Sequence, residues 1–192
     1  GSIDGSTMTI IGAAYQWVRD REAWAQGSTN RADIAFMSAE AVMGLDMVGI
    51  PGMNDHRFDG PDHGGVRVLL EGRFAFDVVD GESDLSGYRL LILPDIIPVD
   101  AALKSKIDAY LAGGGRLLMT GRSGIGADGK FQFDIGAVWE GTSSMSGGDY
   151  ALFDPAIRPD DVNDPLFMYF PSEQLRLTDG KPLGEIYDPY MD

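Results

Sequence analysis

The stretch "RLLILPDIIPVDAALKSKIDAYLAGGGRLLMT", residues 89–120, decides the fold. Arg89-Leu90-Leu91-Ile92-Leu93-Pro94 is a near-continuous apolar run, the pattern of a strand buried on both faces. Asp100 can cap a helix in which Leu103, Ile107, Tyr110 and Leu111 fall on one face. Gly113-Gly114-Gly115 ends that helix, since glycine tolerates the left-handed geometry of a helix terminus. Arg116-Leu117-Leu118-Met119-Thr120 then reads as a second buried strand. Strand, helix and strand within 32 residues make a βαβ unit, with parallel strands and a right-handed crossover.

Upstream, Ile10, Ala14, Trp17 and Trp24 recur at helical spacing, with Ser6 or Thr7 to cap the helix and Gly27 to end it. Residues 32–38 suit a buried strand. Residues 44–65 are rich in Gly, Pro, Asp and His and read as a long loop. Val66, Leu69, Leu70 and Phe74 follow at helical spacing with Asp62 as a candidate N-cap, and residues 76–80 read as a strand. Glu82 to Gly87 is a turn. Downstream, short apolar stretches at 137–139, 150–152, 175–177 and 184–187 alternate with Gly, Pro and Asp clusters and read as short strands added to the sheet's edge. The fold class is α/β: a three-layer sandwich around an open, mostly parallel, flavodoxin-like sheet, with extra short strands toward the C-terminus.

The chain has 192 residues, 44% of them apolar, which suits one compact domain with a proper core. Fifteen basic against thirty acidic residues give a net charge of −15, a surface that repels nucleic acid and anionic lipid. No apolar run approaches the ~20 residues that span a bilayer. Cysteine is absent, so the chain has no disulfide, thiolate metal site or cysteine nucleophile. Composition leaves the compartment open; a bacterial cytoplasmic location is the expectation. The opening Gly1-Ser2 and the ending at Tyr187 to Asp192 lead to the expectation of a segment cut from a larger protein.

Residues 120–131, "TGRSGIGADGKF", imitate three active sites. Gly121-Arg122-Ser123-Gly124 falls short of a serine nucleophile elbow, because Ile125 stands where the second flanking glycine belongs. A catalytic serine also needs a base, and the two histidines, His56 and His63, precede it in the loop region. Gly124 to Gly129 spells a dinucleotide fingerprint, but Lys130 to Asp134 alternates like a strand where a helix must open. The P-loop reading fails at Phe131, where Ser or Thr must reach magnesium. The expected role is a solvent-facing turn out of the sheet. It lies at a strand's carboxyl end, where open α/β sheets bind ligands, so Arg122 and Ser123 are candidates to touch a ligand or a neighbouring domain.

Asp55-His56 and Asp62-His63 offer metal-ligand types but read more simply as a polar loop with turn and cap formers. Asp160, Asp161 and Asp164 lack the alternation of a calcium loop. No metal and no cofactor is expected. Thirty acids offer many glycosidase-like pairs, and spacing selects none of them. Trp17, Trp24 and Trp139 can stack on sugars, but Trp17 and Trp24 lie on a helix stripe and are read as an interface with another element or domain.

The order of "WVRDREAW", "ADIAFMS", "GGVRVLLEGRFAFDVVD", "SDLSGYRLLILPD", "IDAYLAGGGRLLMTGRSG" and "GEIYDPY" over residues 17–190 resembles the central α/β domain of bacterial glycoside hydrolases related to the trimeric beta-galactosidases. In that family it is called the trimerisation domain, follows a catalytic TIM barrel and is similar in fold to class I glutamine amidotransferases. The resemblance implies residues 1–27 as linker and N-terminal helix of a preceding domain and residues 28–192 as the amidotransferase-like domain. It implies catalytic glutamates in the barrel, so no catalytic residue is carried over to this chain. The amidotransferase relatives use a cysteine in the turn after a strand, and this chain has none.

Two functional readings follow. One is a non-catalytic module, packed on the catalytic barrel of the same polypeptide, that supports homo-oligomerisation. The other is a small-molecule or sugar-binding domain, hydrolytic or not, using the carboxyl ends of its strands. Fold alone does not choose between them.

Overall fold

The computed structural model describes residues 5–43, 60–145 and 147–189. The chain divides into two compact units, Gly1–Arg31 and Ala32–Asp192.

The first unit holds α1 (Gly5–Arg19) and the single turn α2 (Glu22–Ala25), neither with a buried residue. The apolar stripe expected to run through Trp24 is broken at Asp20–Arg21. There the Arg21 guanidinium folds back over the Trp17 ring at 4.0 Å and donates to the Trp17 carbonyl. A basic side chain thus satisfies a carbonyl left open at the helix end. Gly27 follows with φ 71°, as a terminating glycine should.

In the second unit the order is β1 (Ile34–Met37), α3 (Ala39–Met43), α4 (Gly60–Glu71), β2 (Phe76–Val79), β3 (Leu90–Leu93), α5 (Ala101–Ala112) and β4 (Arg116–Met119). The four strands are all parallel in the order β2-β1-β3-β4. Successive strand residues face opposite sides, so each strand feeds two cores. Ala35, Met37, Leu91 and Leu93 pack with Leu103, Ile107 and Tyr110 of α5. Phe36 and Ile92 pack with Leu69 of α4 on the other face. Helix, sheet and helix are the three layers expected, and the Asp100 carboxylate caps α5 by accepting from the Leu103 amide at 2.8 Å.

Several expectations change. α4 starts at Gly60, within the stretch read as loop, because Pro61 in its first turn presets the backbone and needs no amide donor there. It ends at Glu71, so Phe74 lies beyond it, and Leu70 is 63% exposed. Residues 44–59, with Asp55 and His56, lie outside the described residues. β4 is an edge strand, half-buried rather than buried, with Leu118 46% exposed. Gly113 has φ −75°, while Gly114 carries the left-handed turn at φ 91°. Gly115 lies against the Tyr110 ring, whose hydroxyl donates to the Arg116 carbonyl and accepts from the Arg116 amide. Burial pushes the Tyr110 phenol above its ordinary pKa.

The remaining chain forms β5 (Ala137–Thr142), β6 (Asp149–Phe153), β7 (Leu166–Met168), β8 (Glu173–Leu177) and β9 (Gly184–Tyr187). β5 pairs with β8 and β6 lies between β7 and β9, all antiparallel. These are separate sheets rather than an extension of the parallel edge. Residues 130–134, read as strand-like, make a single bridge, Ile125 to Phe131, and insert Phe133 into the α5-side core. Asp149 is fully buried where β6 begins, and its carboxylate accepts from the Ser172 amide at 2.7 Å and the Ser143 hydroxyl at 3.3 Å.

Candidate functional site

In an open parallel sheet, ligands bind at the carboxyl ends of the strands where the strand order reverses, here beside β1 and β3. After β1 the chain turns at once into α3. The exposed amides of that turn are taken by the chain's own Asp62, reaching across from the first turn of α4. Its carboxylate accepts from the Ser38 hydroxyl at 2.6 Å, the Ala39 amide at 2.7 Å and the Glu40 amide at 3.1 Å. Asp62 therefore does not cap its own helix, as its position in the sequence suggests. It occupies the place at a helix start that suits an anion.

The ends of β3 and β4 are tied in the same way. Asp95 follows β3 with φ 45°, a strained conformation for a residue with a side chain. Thr120 holds it there, its hydroxyl donating to the Asp95 carboxylate at 2.6 Å and accepting from the Asp95 amide at 2.9 Å. The Arg122 amide donates to the Asp95 carbonyl at 2.6 Å. Gly121 makes this approach feasible. It has φ 53°, and a Cβ there would stand 2.8 Å from the Asp95 carbonyl oxygen.

The two candidates in this turn have different fates. Ser123 has no exposed surface, and its hydroxyl accepts from the buried Ile97 amide at 2.9 Å. The solvent-facing turn expected from the sequence is thus, at Ser123, a buried network. The reason lies in Ile97, 1% exposed, whose amide needs an acceptor once it leaves the strand ladder. Arg122 stays exposed, with its guanidinium 5.2 Å from the centre of the Trp139 ring. The Trp139 indole donates to Glu173 at 2.6 Å, and Thr142 shares that carboxylate. Trp139 thus joins β5 to β8 and to the β4 turn, rather than standing open as a sugar platform.

These contacts give a direct comparison. Ser123→Ala leaves the Ile97 amide buried without an acceptor and is expected to destabilise by about 1–3 kcal/mol. Arg122→Ala removes an exposed stacking contact of about 0.5–1 kcal/mol. Urea melts of both variants check the order, which is reversed if the turn is held from Arg122.

Elsewhere, Trp17 is 59% and Trp24 80% exposed. His63 is exposed on α4. Among the described residues no group of three or more His, Asp or Glu could hold a metal ion. A cleft of about 1260 Å³ opens at the opposite, amino end of the sheet, between α5 and residues 84–90. The Lys106 amine on its wall is turned to the Gly81 and Ser83 carbonyls at 2.7 and 3.0 Å. Sequence reasoning found neither the Asp62 clasp nor the buried Asp149. Both are contacts over more than twenty residues, which local pattern does not encode.

The family model described as "Beta-galactosidase trimerisation domain" matches residues 67–136, from α4 through the β4 turn. That stretch is similar to the beta-galactosidase trimerisation domain. Beta-galactosidase GalA of Bacillus licheniformis is 36% identical over 74 residues, which are 38% of this chain and 11% of that protein. Alpha-L-fucosidase isoenzyme 2 from Paenibacillus thiaminolyticus aligns over 100% of this chain and 28% of its own, with 36% identity and a TM-score of 0.83. The GH42 beta-galactosidase Gan42B from G. stearothermophilus, 17% identical, shares the fold over 97% of this chain and 28% of its own, with a TM-score of 0.74. The chain therefore spans under a third of these relatives.

Proposed function

We propose that this chain is the non-catalytic central domain of a multidomain bacterial glycoside hydrolase, beta-galactosidase-like. It supports self-association and packs on a TIM-barrel catalytic domain of the same polypeptide. The observation that carries this reading is the state of the strands' carboxyl ends. The polar groups that such a fold presents to a ligand are here bonded to Asp62, Thr120 and Ser123. A domain that keeps its fold while its ligand end is closed by its own side chains suits a structural role.

The division at residues 27/28 belongs to the same proposal. α1 and α2, with Trp17 and Trp24 exposed, form the approach from the preceding domain and supply part of its contact. Arg122, exposed at the β4 turn, is available to a neighbouring domain, whereas the Ser123 hydroxyl is committed internally.

The chain is expected to show no turnover of nitrophenyl glycosides or esters. Turnover that survives repurification and disappears in Ser123→Ala would overturn the non-catalytic reading.

A further inference from the structure

The cleft at the amino end of the parallel sheet differs in charge from the rest of the chain. The chain holds thirty acids against fifteen bases. The cleft is lined by three bases, Arg89, Lys106 and Arg116, against two acids, Asp33 and Asp84. Two of these are already engaged. The Lys106 amine donates to the Gly81 and Ser83 carbonyls, and the Asp84 carboxylate accepts from the Ser86 amide at 2.9 Å and the Ser86 hydroxyl at 3.0 Å. Arg89 and Arg116 are exposed, and among the described residues neither forms an ion pair or a side-chain hydrogen bond. They stand on neighbouring strands, the Arg116 amide donating to the Arg89 carbonyl at 3.1 Å. Two adjacent cations with no acid bonded to either favour an anionic partner.

Size points to a protein surface rather than a small anion. Small-molecule pockets are concave spaces of about 300–1,000 Å³ that enclose most of their ligand. This cleft is about 1260 Å³ and open to solvent.

The path of the chain points to which surface. Asp33 and Ile34, which lead into β1, are part of the cleft wall. The Arg89 and Leu90 amides donate to the Asp33 carbonyl at 2.8 and 3.2 Å. The polypeptide thus enters the sheet fastened beside Arg89. Whatever comes before the sheet in the polypeptide is tethered at this end, and a tether raises the local concentration of a partner surface. This chain aligns with only 28% of the fucosidase, so a relative of that kind carries much more chain outside the matched domain.

We propose that the amino-end cleft, through Arg89 and Arg116, seats an acidic patch of the catalytic domain that precedes this one in the same polypeptide. The proposal rests on the packing reading above and adds to it the surface and its charge. Scanning calorimetry of the full-length polypeptide and of the 192-residue chain tests it. Each is measured as wild type, as the double variant Arg89→Glu/Arg116→Glu, and as Lys181→Glu, a charge reversal at an exposed residue outside the cleft. The α/β domain is expected to melt at a higher temperature in the full-length polypeptide than alone. The double variant should lower that transition by about 4 °C or more, the effect of unpairing interface charges in a domain of this size. It should leave the melt of the 192-residue chain unchanged, and Lys181→Glu should change neither. A transition raised in the full-length polypeptide but untouched by the double variant overturns the surface and leaves domain packing standing. An equal drop in both proteins overturns the proposal, because the arginines then serve the carboxyl end of α5 within the domain. A full-length polypeptide with no preceding domain, or one whose α/β domain melts as the 192-residue chain does, overturns the surface and the packing together.

Discussion

Leu91→Ala is expected to lower the unfolding free energy by about 2–5 kcal/mol, the range for removing a fully buried leucine. Leu91 is 0% exposed on β3, with β1 on one side and β4 on the other, and it packs in the core beneath α5. A cavity there has backbone ladders on both flanks, so the site cannot collapse readily and the upper part of the range applies. A lower urea midpoint with unchanged slope is the signature of lost stability with the same cooperative unit. A change under about 1 kcal/mol would mean that β3 is not the centre of the core.

Gly115→Val has the next largest expected effect. A side chain at this position enters the space of the Tyr110 ring. Tyr110 is itself 8% exposed and bonded through its hydroxyl to both backbone groups of Arg116, so it has nowhere to move without losing those bonds. Overpacking of this kind costs about 1–3 kcal/mol, and the lost hydrogen bonds place Gly115→Val at the top of that range. Gly114→Val, strained by φ 91°, should cost about 1–3 kcal/mol. Gly113→Val, at φ −75°, carries no left-handed strain and meets only the Tyr110 carbonyl oxygen at 3.3 Å, so it should cost least, within about 0.5 kcal/mol. Urea melts rank the three, and a Gly113 variant worse than Gly115 would contradict the geometry.

The ranking shows where the sequence is informative. A run of three glycines after an amphipathic helix signals its end, and the end is where it was expected. Which glycine does what depends on Tyr110, five residues back, and on φ values that composition does not reveal. The βαβ unit was legible because its strands are continuous apolar runs and its helix has one apolar face. The same signal misled at β4. Leu117, Leu118 and Met119 look alike in sequence, yet Leu118 faces away from the α5 core at the edge of the sheet. β7 was not foreseen at all, since three residues between Pro165 and Pro171 are too short for alternation to register. Its cue was the unbroken apolar run Leu166 to Phe170. At the candidate site, the sequence placed the turn after β4 at the carboxyl ends of the strands. Their closure was not readable, because each clasp joins groups more than twenty residues apart.

The bond from Asp62 to Ser38 spans 24 residues of sequence, so the carboxylate acts as a non-covalent staple between the end of β1 and the first turn of α4. The entropy of closing such a loop grows only with the logarithm of its length, so doubling it adds about 0.6 kcal/mol. Three hydrogen bonds at that junction set the start of α3 against the first turn of α4, so the clasp outweighs the closure term that any change in the number of residues joining them would add.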